Sequence, residues 1–203
     1  LQDLVFGGWD PISPNVLEAA RTAGVLDGDD LSEISSELES IIPMEAVFDK
    51  QWVSRLDGVR IKNLENKWEQ AEALIQDIAS FKEENDCDRL VMVWCGSTEA
   101  FQEPSEVHSS VAAFEQGLKD NDPNISPSQI YAYAALQSDV PFANGAPNLS
   151  CDLDCIVELS KSRGVPIAGK DFKTGQTLMK TLLAPGFKAR MLGLEGWYST
   201  NSN

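Results

Sequence analysis

The clearest periodicity in the chain lies between residues 64 and 85. Apolar residues there are three or four positions apart, and acidic residues occupy many of the positions between them. This spacing places the apolar side chains on one face of a helix. The apolar positions are Trp68, Ala71, Leu74, Ile75, Ile78 and Phe81. The pattern therefore predicts a long amphipathic helix over residues 64–85.

Short apolar runs predict the strands. The run at residues 89–94 is continuously apolar after Arg89, which is typical of a central strand in a parallel sheet. Similar runs predict buried strands at residues 4–6, 140–143 and 165–168, and alternation predicts a last strand at 190–198.

Caps and apolar spacing predict further helices between these strands. They lie at residues 15–23, 30–40, 107–118, 151–162 and 174–183, and Ser126 and Pro127 begin another. The last helix is expected to end before Pro185. Because strands alternate with helices, the sequence predicts an α/β fold with a mostly parallel sheet and flanking helices.

Polar loops follow the predicted strands, at the sheet edge where ligands bind in open α/β folds. The four loops contain Trp9 and Asp10, residues 95–98, residues 144–146 and residues 170–174. Because they are expected at the same edge of the sheet, they predict one ligand cleft. The last loop has two interpretations: an anion-binding loop, or a plain strand-to-helix turn capped by Thr174. No GxGxxG pattern follows a predicted strand, so pattern alone leaves the ligand open.

The composition narrows the class of partner. The formal net charge is −16, which argues against a nucleic-acid or anionic-membrane surface, since phosphate binding needs clustered Lys and Arg. The four cysteines form no CxxC pair and there is one histidine, so no metal site is expected. Reduced cysteines and the lack of a membrane-length apolar run favour a cytoplasmic protein.

Several motifs stand in order along the chain. They are GGWDPIS at residues 7–13, RLVMVWCGSTE at 89–99, ISPSQIYA at 125–132, PFANGAP at 141–147 and AGKDFKTGQTLMK at 168–180. Each is similar to a segment of the myo-inositol-1-phosphate synthase family, also called inositol-3-phosphate synthases: GWDIS, VLWTANTE, ISPSTLYA, PFINGSP and GGDDFKSGQTKMK. The similar order and spacing cover nearly the whole chain.

The resemblance implies part of a Rossmann-like NAD-binding domain at residues 1–177, and the start of a second, α+β catalytic and tetramerisation domain at residues 178–203. It implies an NAD-dependent isomerase of inositol and phospholipid biosynthesis that converts glucose 6-phosphate to myo-inositol 1-phosphate. NAD oxidises the sugar, enolisation and intramolecular aldol closure follow, and NADH reduces the ring ketone. The full-length enzyme is expected to be a cytoplasmic homotetramer.

The family's cofactor contacts can be carried over position by position. They fall on Asp10, Ala46, Val47, Arg60, Cys95, Gly96, Ser97, Thr98, Gly145, Ala146, Asp171 and Thr174. Asp10 would hold ribose hydroxyls or else cap a helix, and Arg60 would meet a cofactor phosphate or carbonyl or else be a surface charge. Gly145 would let the backbone approach the ligand. Asn203 falls near the family's active-site asparagine, a substrate contact.

Departures from the family motifs leave a second hypothesis, a non-catalytic relative that keeps an NAD-binding cleft. Residues 95–97 read CGS where the family has TAN, Lys170 replaces an aspartate, and Leu178 replaces a lysine. The family's glycine-rich loop is expected before Leu1 and its catalytic lysines after Asn203, so no catalytic residue is assigned here. For the 203 residues alone, we expect no synthase activity and weak NAD binding at best.

Overall fold

The computed structural model describes residues 4–172 and 175–195, without the side chains of residues 175–178. Within these residues, helices flank a parallel sheet of three strands in the order β1, β2, β3. The strands are β1 Met92–Trp94, β2 Phe142–Asn144 and β3 Ile167–Gly169. Trp94 pairs with Asn144 and Asn144 with Gly169, so the carboxyl ends lie side by side. The predicted α/β class is confirmed.

The helices begin close to the residues that the sequence indicates. The Asn15 side chain caps the first helix by accepting a hydrogen bond from the backbone N–H of Glu18, and the Ser126 N–H donates to Gln129 Oε1 at the start of the fifth. The helices are α1 Val16–Ala23, α2 Gly28–Ser40, α3 Lys67–Glu84, α4 Val111–Lys119, α5 Pro127–Gln137, α6 Asp154–Arg163 and α7 Gly175–Ala189, with a 3-10 helix at Glu106–His108.

Helix α5 lies in the middle of the hydrophobic core. It contacts α3, α6 and β2, and its residues from Pro127 to Leu136 are all buried. Leu74 of α3, Ile156 of α6 and Phe142 of β2 belong to the same core cluster. A helix that is covered on every side needs apolar or small residues throughout, which explains the alanine-rich sequence of α5.

Two predicted strands differ from the structure. Residues 4–6 form no strand, and Leu4 and Phe6 are exposed; an apolar run becomes a strand only where a neighbour supplies hydrogen bonds. The run at residues 89–94 becomes a strand only from Met92, because β2 offers three partners. β1 is also an edge strand of the described sheet rather than a central strand, and Val91 and Val93 are exposed.

Three further expectations need correction. Residues 107–118 divide into the 3-10 helix and α4, because Ser110 caps α4 through the N–H of Ala113. Helix α7 continues past Pro185 to Ala189; the proline removes one backbone hydrogen bond, but its own fixed φ is compatible with a helix. Residues 190–195 contain no strand, and the rest of that predicted strand lies outside the described residues.

Two isolated parallel bridges organise the chain before α3. Trp9 bridges to Met44, and Ala46 bridges to Ile61. The N–H of Met44 donates to Gly8 O at 2.9 Å, and the N–H of Ala46 donates to Arg60 O at 3.0 Å. These contacts fix the segment that carries Asp10 next to the segment that carries Ala46 and Val47.

Candidate functional site

A cavity of about 480 Å³ lies next to β1, within the size range of small-molecule sites. Its lining is mostly apolar and comes from segments far apart in the sequence. They include residues 7–12, 46–48 and 90–97, with Tyr131 of α5. The predicted cofactor residues that line it are Asp10, Ala46, Val47, Cys95, Gly96 and Ser97. The structure therefore brings together two of the predicted polar loops.

The carboxylate of Asp10 shapes the turn that enters this cavity. Oδ1 accepts hydrogen bonds from the N–H groups of Ile12 at 2.7 Å and Ser13 at 2.9 Å. Asp10 thus caps a turn rather than a helix. Both bonds use Oδ1, so Oδ2 is the oxygen that can accept a hydrogen bond from a ligand hydroxyl.

An aromatic cluster forms one wall of the cavity. The Tyr131 ring contacts the rings of Trp9 and Trp94, with both pairs of centroids 5.2 Å apart. The Tyr131 hydroxyl accepts a hydrogen bond from the N–H of Val47 at 3.0 Å. Burial raises the pKa of Tyr131, so the phenol stays protonated. An uncharged aromatic wall suits the flat, apolar face of a base or sugar.

The loops after the three strands meet at the carboxyl edge of the sheet. The N–H of Gly145 donates to Trp94 O at 2.9 Å, and the N–H of Asp171 donates to Ala146 O at 3.1 Å. A Cβ at position 145 would lie 2.7 Å from Trp94 O and 2.9 Å from the Phe172 ring. Glycine is therefore required here because Trp94 and Phe172 lie too close to the backbone of residue 145 to leave room for a side chain.

The other predicted residues have different surroundings. Arg60 donates from Nη1 to Pro14 O and from Nη2 to Pro43 O, so its guanidinium holds two backbone segments together, and it does not line the cavity next to β1. Thr98 lines a smaller cavity of about 140 Å³. Thr174 and Asn203 lie outside the described residues.

Lys170, a departure from the family motif, lies in an ion pair. Its Nζ is 3.2 Å from Asp152 Oδ2, and both side chains are more than one-third exposed. A surface pair of this kind adds little stability. It connects the loop after β3 to the segment before α6, which gives Lys170 a local partner other than a ligand phosphate.

A buried polar cluster next to the predicted loops was missed by the sequence reasoning. It consists of Glu99, Ser128, Asn144 and Asn148, none of them more than 8% exposed. Glu99 Oε1 accepts from the Ser128 N–H at 2.8 Å, and Oε2 accepts from Ser128 Oγ at 2.6 Å. The signal was present, because Glu99, Ser128 and Asn144 each lie in a motif that carries the resemblance.

The stability of the chain should depend on the ionisation of Glu99. Burial raises the pKa of its carboxyl above the ordinary value of 4.5, against the opposing effect of the Ser128 hydrogen bonds. Because the folded-state pKa exceeds the unfolded one, Glu99 contributes stability that is complete below pH 4.5 and is lost as pH rises through the folded-state pKa. Urea unfolding of the wild type and of Glu99→Gln should therefore show the wild type losing stability relative to the variant over this interval. A pH-independent difference would contradict the prediction.

Within residues 4–172 and 175–195, no helix is both long and apolar enough to cross a bilayer. In the same part of the chain, no three His, Cys, Asp or Glu side chains are grouped so that they could hold a metal ion.

Sequence comparison finds similarity to one family. An NAD-binding family model described as myo-inositol-1-phosphate synthase matches residues 1–188. Inositol-3-phosphate synthase 1 of Bacteroides thetaiotaomicron is 54% identical over 202 residues, which are 99% of this chain and 47% of that protein. Inositol-3-phosphate synthase of Citrus paradisi is 35% identical over 184 residues, 89% of this chain and 36% of that protein. The chain spans less than half the length of these relatives.

Comparison of folds agrees with this result. The crystal structure of inositol-3-phosphate synthase from Caenorhabditis elegans matches with a TM-score of 0.83 at 25% identity, over 90% of this chain and 37% of that one. A myo-inositol-1-phosphate synthase-related protein from Thermotoga maritima matches with a TM-score of 0.62 at 21% identity, over 91% of this chain and 47% of that one. The second match supports the fold alone.

Proposed function

The chain belongs to the myo-inositol-1-phosphate synthase family, and on that premise we propose that it forms the NAD-binding part of an inositol-3-phosphate synthase. The complete protein then converts glucose 6-phosphate to myo-inositol 1-phosphate. The observation that carries the proposal is the cavity next to β1, which gathers Asp10, Val47 and the loop at residues 95–97 from distant parts of the chain.

The lining of this cavity fits the nucleoside part of NAD. Asp10 Oδ2 offers a charged acceptor for ribose hydroxyls, and the Trp9, Tyr131 and Trp94 rings offer apolar surface. Among the described residues, the lining contains no Lys or Arg, so we expect backbone N–H groups or basic residues outside this lining to contact the anionic pyrophosphate. When bound, NAD supplies an acceptor and donor of hydride, and the net reaction is an isomerisation.

The proposal extends to the organisation of the whole enzyme. Residues 1–177 belong to the NAD-binding domain, and residues 178–203 begin a catalytic domain that assembles a homotetramer in the cytoplasm. The boundary falls inside α7, which runs from Gly175 to Ala189 without a break. One helix would then connect the cofactor domain to the catalytic domain.

NAD titration and product analysis test the proposed function. We expect the complete protein to bind NAD and to convert glucose 6-phosphate to inositol phosphate without accumulating NADH. The 203-residue chain should bind NAD more weakly and show no turnover. A complete protein that fails to bind NAD would overturn the proposal. Binding without turnover would favour the alternative, a non-catalytic relative that keeps the cofactor cleft.

A further inference from the structure

We propose that Glu99 is a positioning residue for NAD: it fixes the loop at residues 95–98 in the conformation that the cofactor binds. The proposal rests on the function proposed above. Glu99 follows this loop directly, and it lines both the larger cavity next to β1 and the smaller one that Thr98 lines. It thus forms part of the wall between the two cavities.

The Glu99 carboxylate connects the loop to the first turn of α5. Both of its oxygens are used, one by the Ser128 N–H and one by Ser128 Oγ. Ser128 is completely buried and lies in a helix that is packed on all sides. The carboxylate is therefore attached to one of the least movable parts of the core.

The backbone of the same loop is attached to the segment after β2. Asn148 Oδ1 accepts from the Glu99 N–H at 3.0 Å, and Asn148 Nδ2 donates to Ser97 O at 3.4 Å. Asn144 Nδ2 in turn donates to Asn148 O at 2.7 Å. At the start of the loop, Trp94 O accepts from the Gly145 N–H. The loop is held at both ends by groups from other elements.

A glutamate at position 99 is difficult to explain by stability alone. Among the described residues, the donors to its side chain are the neutral N–H and Oγ of Ser128, and burial raises its pKa, so the ionised form is unfavourable there. A buried charge without a cation costs more than an apolar side chain of similar size. What the side chain adds is direction, because the two polar atoms at its end meet the Ser128 N–H and Oγ at fixed angles, which an amide can also do. A loop whose conformation is fixed before binding loses less conformational entropy when the cofactor binds, and this favours tight binding.

Substitutions that remove or preserve these two hydrogen bonds test the proposal in the complete protein. Glu99→Leu removes both acceptors, and we expect NAD affinity to fall at least about tenfold with an unchanged KM for glucose 6-phosphate. Glu99→Gln should keep NAD affinity within about threefold, because its Oε1 accepts from the Ser128 N–H and its Nε2 donates to Ser128 Oγ. Glu103→Gln, an exposed change in the same segment, is the matched control.

Hydrogen exchange separates positioning from a general loss of stability. In Glu99→Leu, the backbone amides of residues 95–99 should exchange faster while those of α3 stay protected. If Glu99→Leu fails to fold, Ser128→Ala removes only one of the two bonds and should weaken NAD binding about threefold. Wild-type NAD affinity in Glu99→Leu, or in Ser128→Ala if that variant is used, would overturn the proposal. Absence of NAD binding in the wild type would instead overturn the proposed function.

Discussion

Gly145→Ala is expected to destabilise the chain by about 2–4 kcal/mol and to weaken NAD binding in the complete protein. The new methyl carbon would lie 2.7 Å from Trp94 O and 2.9 Å from the Phe172 ring. Trp94 O cannot move away without losing its hydrogen bond from the Gly145 N–H. The clash therefore disturbs β1, β2 and the loop after β3 together.

Urea unfolding followed by circular dichroism measures this effect. Gly28→Ala is the matched control, because a Cβ at that position meets nothing within 4 Å and the residue begins helix α2. The control should unfold at the wild-type urea concentration or slightly above it. A Gly145→Ala variant that unfolds together with the control would contradict the close approach between Gly145 and Trp94.

The elements that the sequence predicts well depend mainly on local information. Helix α3 follows from its own apolar spacing, and α1 follows from Asn15 and Gly24, which both serve as caps. The strand predicted at residues 4–6 is absent from the structure, because apolar content alone does not determine which neighbouring segment pairs with it. The length of β1 also depends on its neighbour, because three residues of β2 pair with it.

The candidate site was predicted by resemblance more than by periodicity. The resemblance indicated the loop at residues 95–98 and Asp10, and the structure places Asp10 and residues 95–97 around one cavity. Glu99 lies in one of the motifs but was not among the predicted contacts, and its partners Ser128 and Asn148 are 29 and 49 positions away. Buried polar contacts over such separations leave no local pattern, because each partner alone resembles an ordinary cap or loop residue.

Glu99 and Gly145 limit the movement of the same loop by different means. Gly145 allows the backbone after β2 to approach Trp94 O, and Glu99 attaches the other end of the loop to Ser128. The backbone of this loop loses its conformational entropy on folding, so binding of a cofactor requires little further ordering. NAD affinity should therefore respond to changes in the first turn of α5, although the hydrogen bonds that Asp10 accepts in the described part of the chain come from Ile12 and Ser13.

Asp10→Asn is expected to weaken NAD binding by the complete protein about ten- to a hundredfold while leaving its stability nearly unchanged. The amide oxygen can keep the bonds from the Ile12 and Ser13 N–H groups, but the amide nitrogen that replaces Oδ2 cannot accept from ribose hydroxyls. Hydrogen bonds to a charged group contribute about 1.5–3 kcal/mol, which gives this range.

Asp10→Ala separates the two roles of this carboxylate, because it also removes the turn bonds and should lower the free energy of unfolding by about 1 kcal/mol more than Asp10→Asn does. Asp88→Asn, at an exposed position away from the cavity lining, controls for the change in net charge. Calorimetric titration with NAD measures affinity, and urea unfolding measures stability. Equal NAD affinity in Asp10→Asn and Asp88→Asn would exclude Asp10 as the ribose ligand and would move the nucleoside site away from the cavity next to β1.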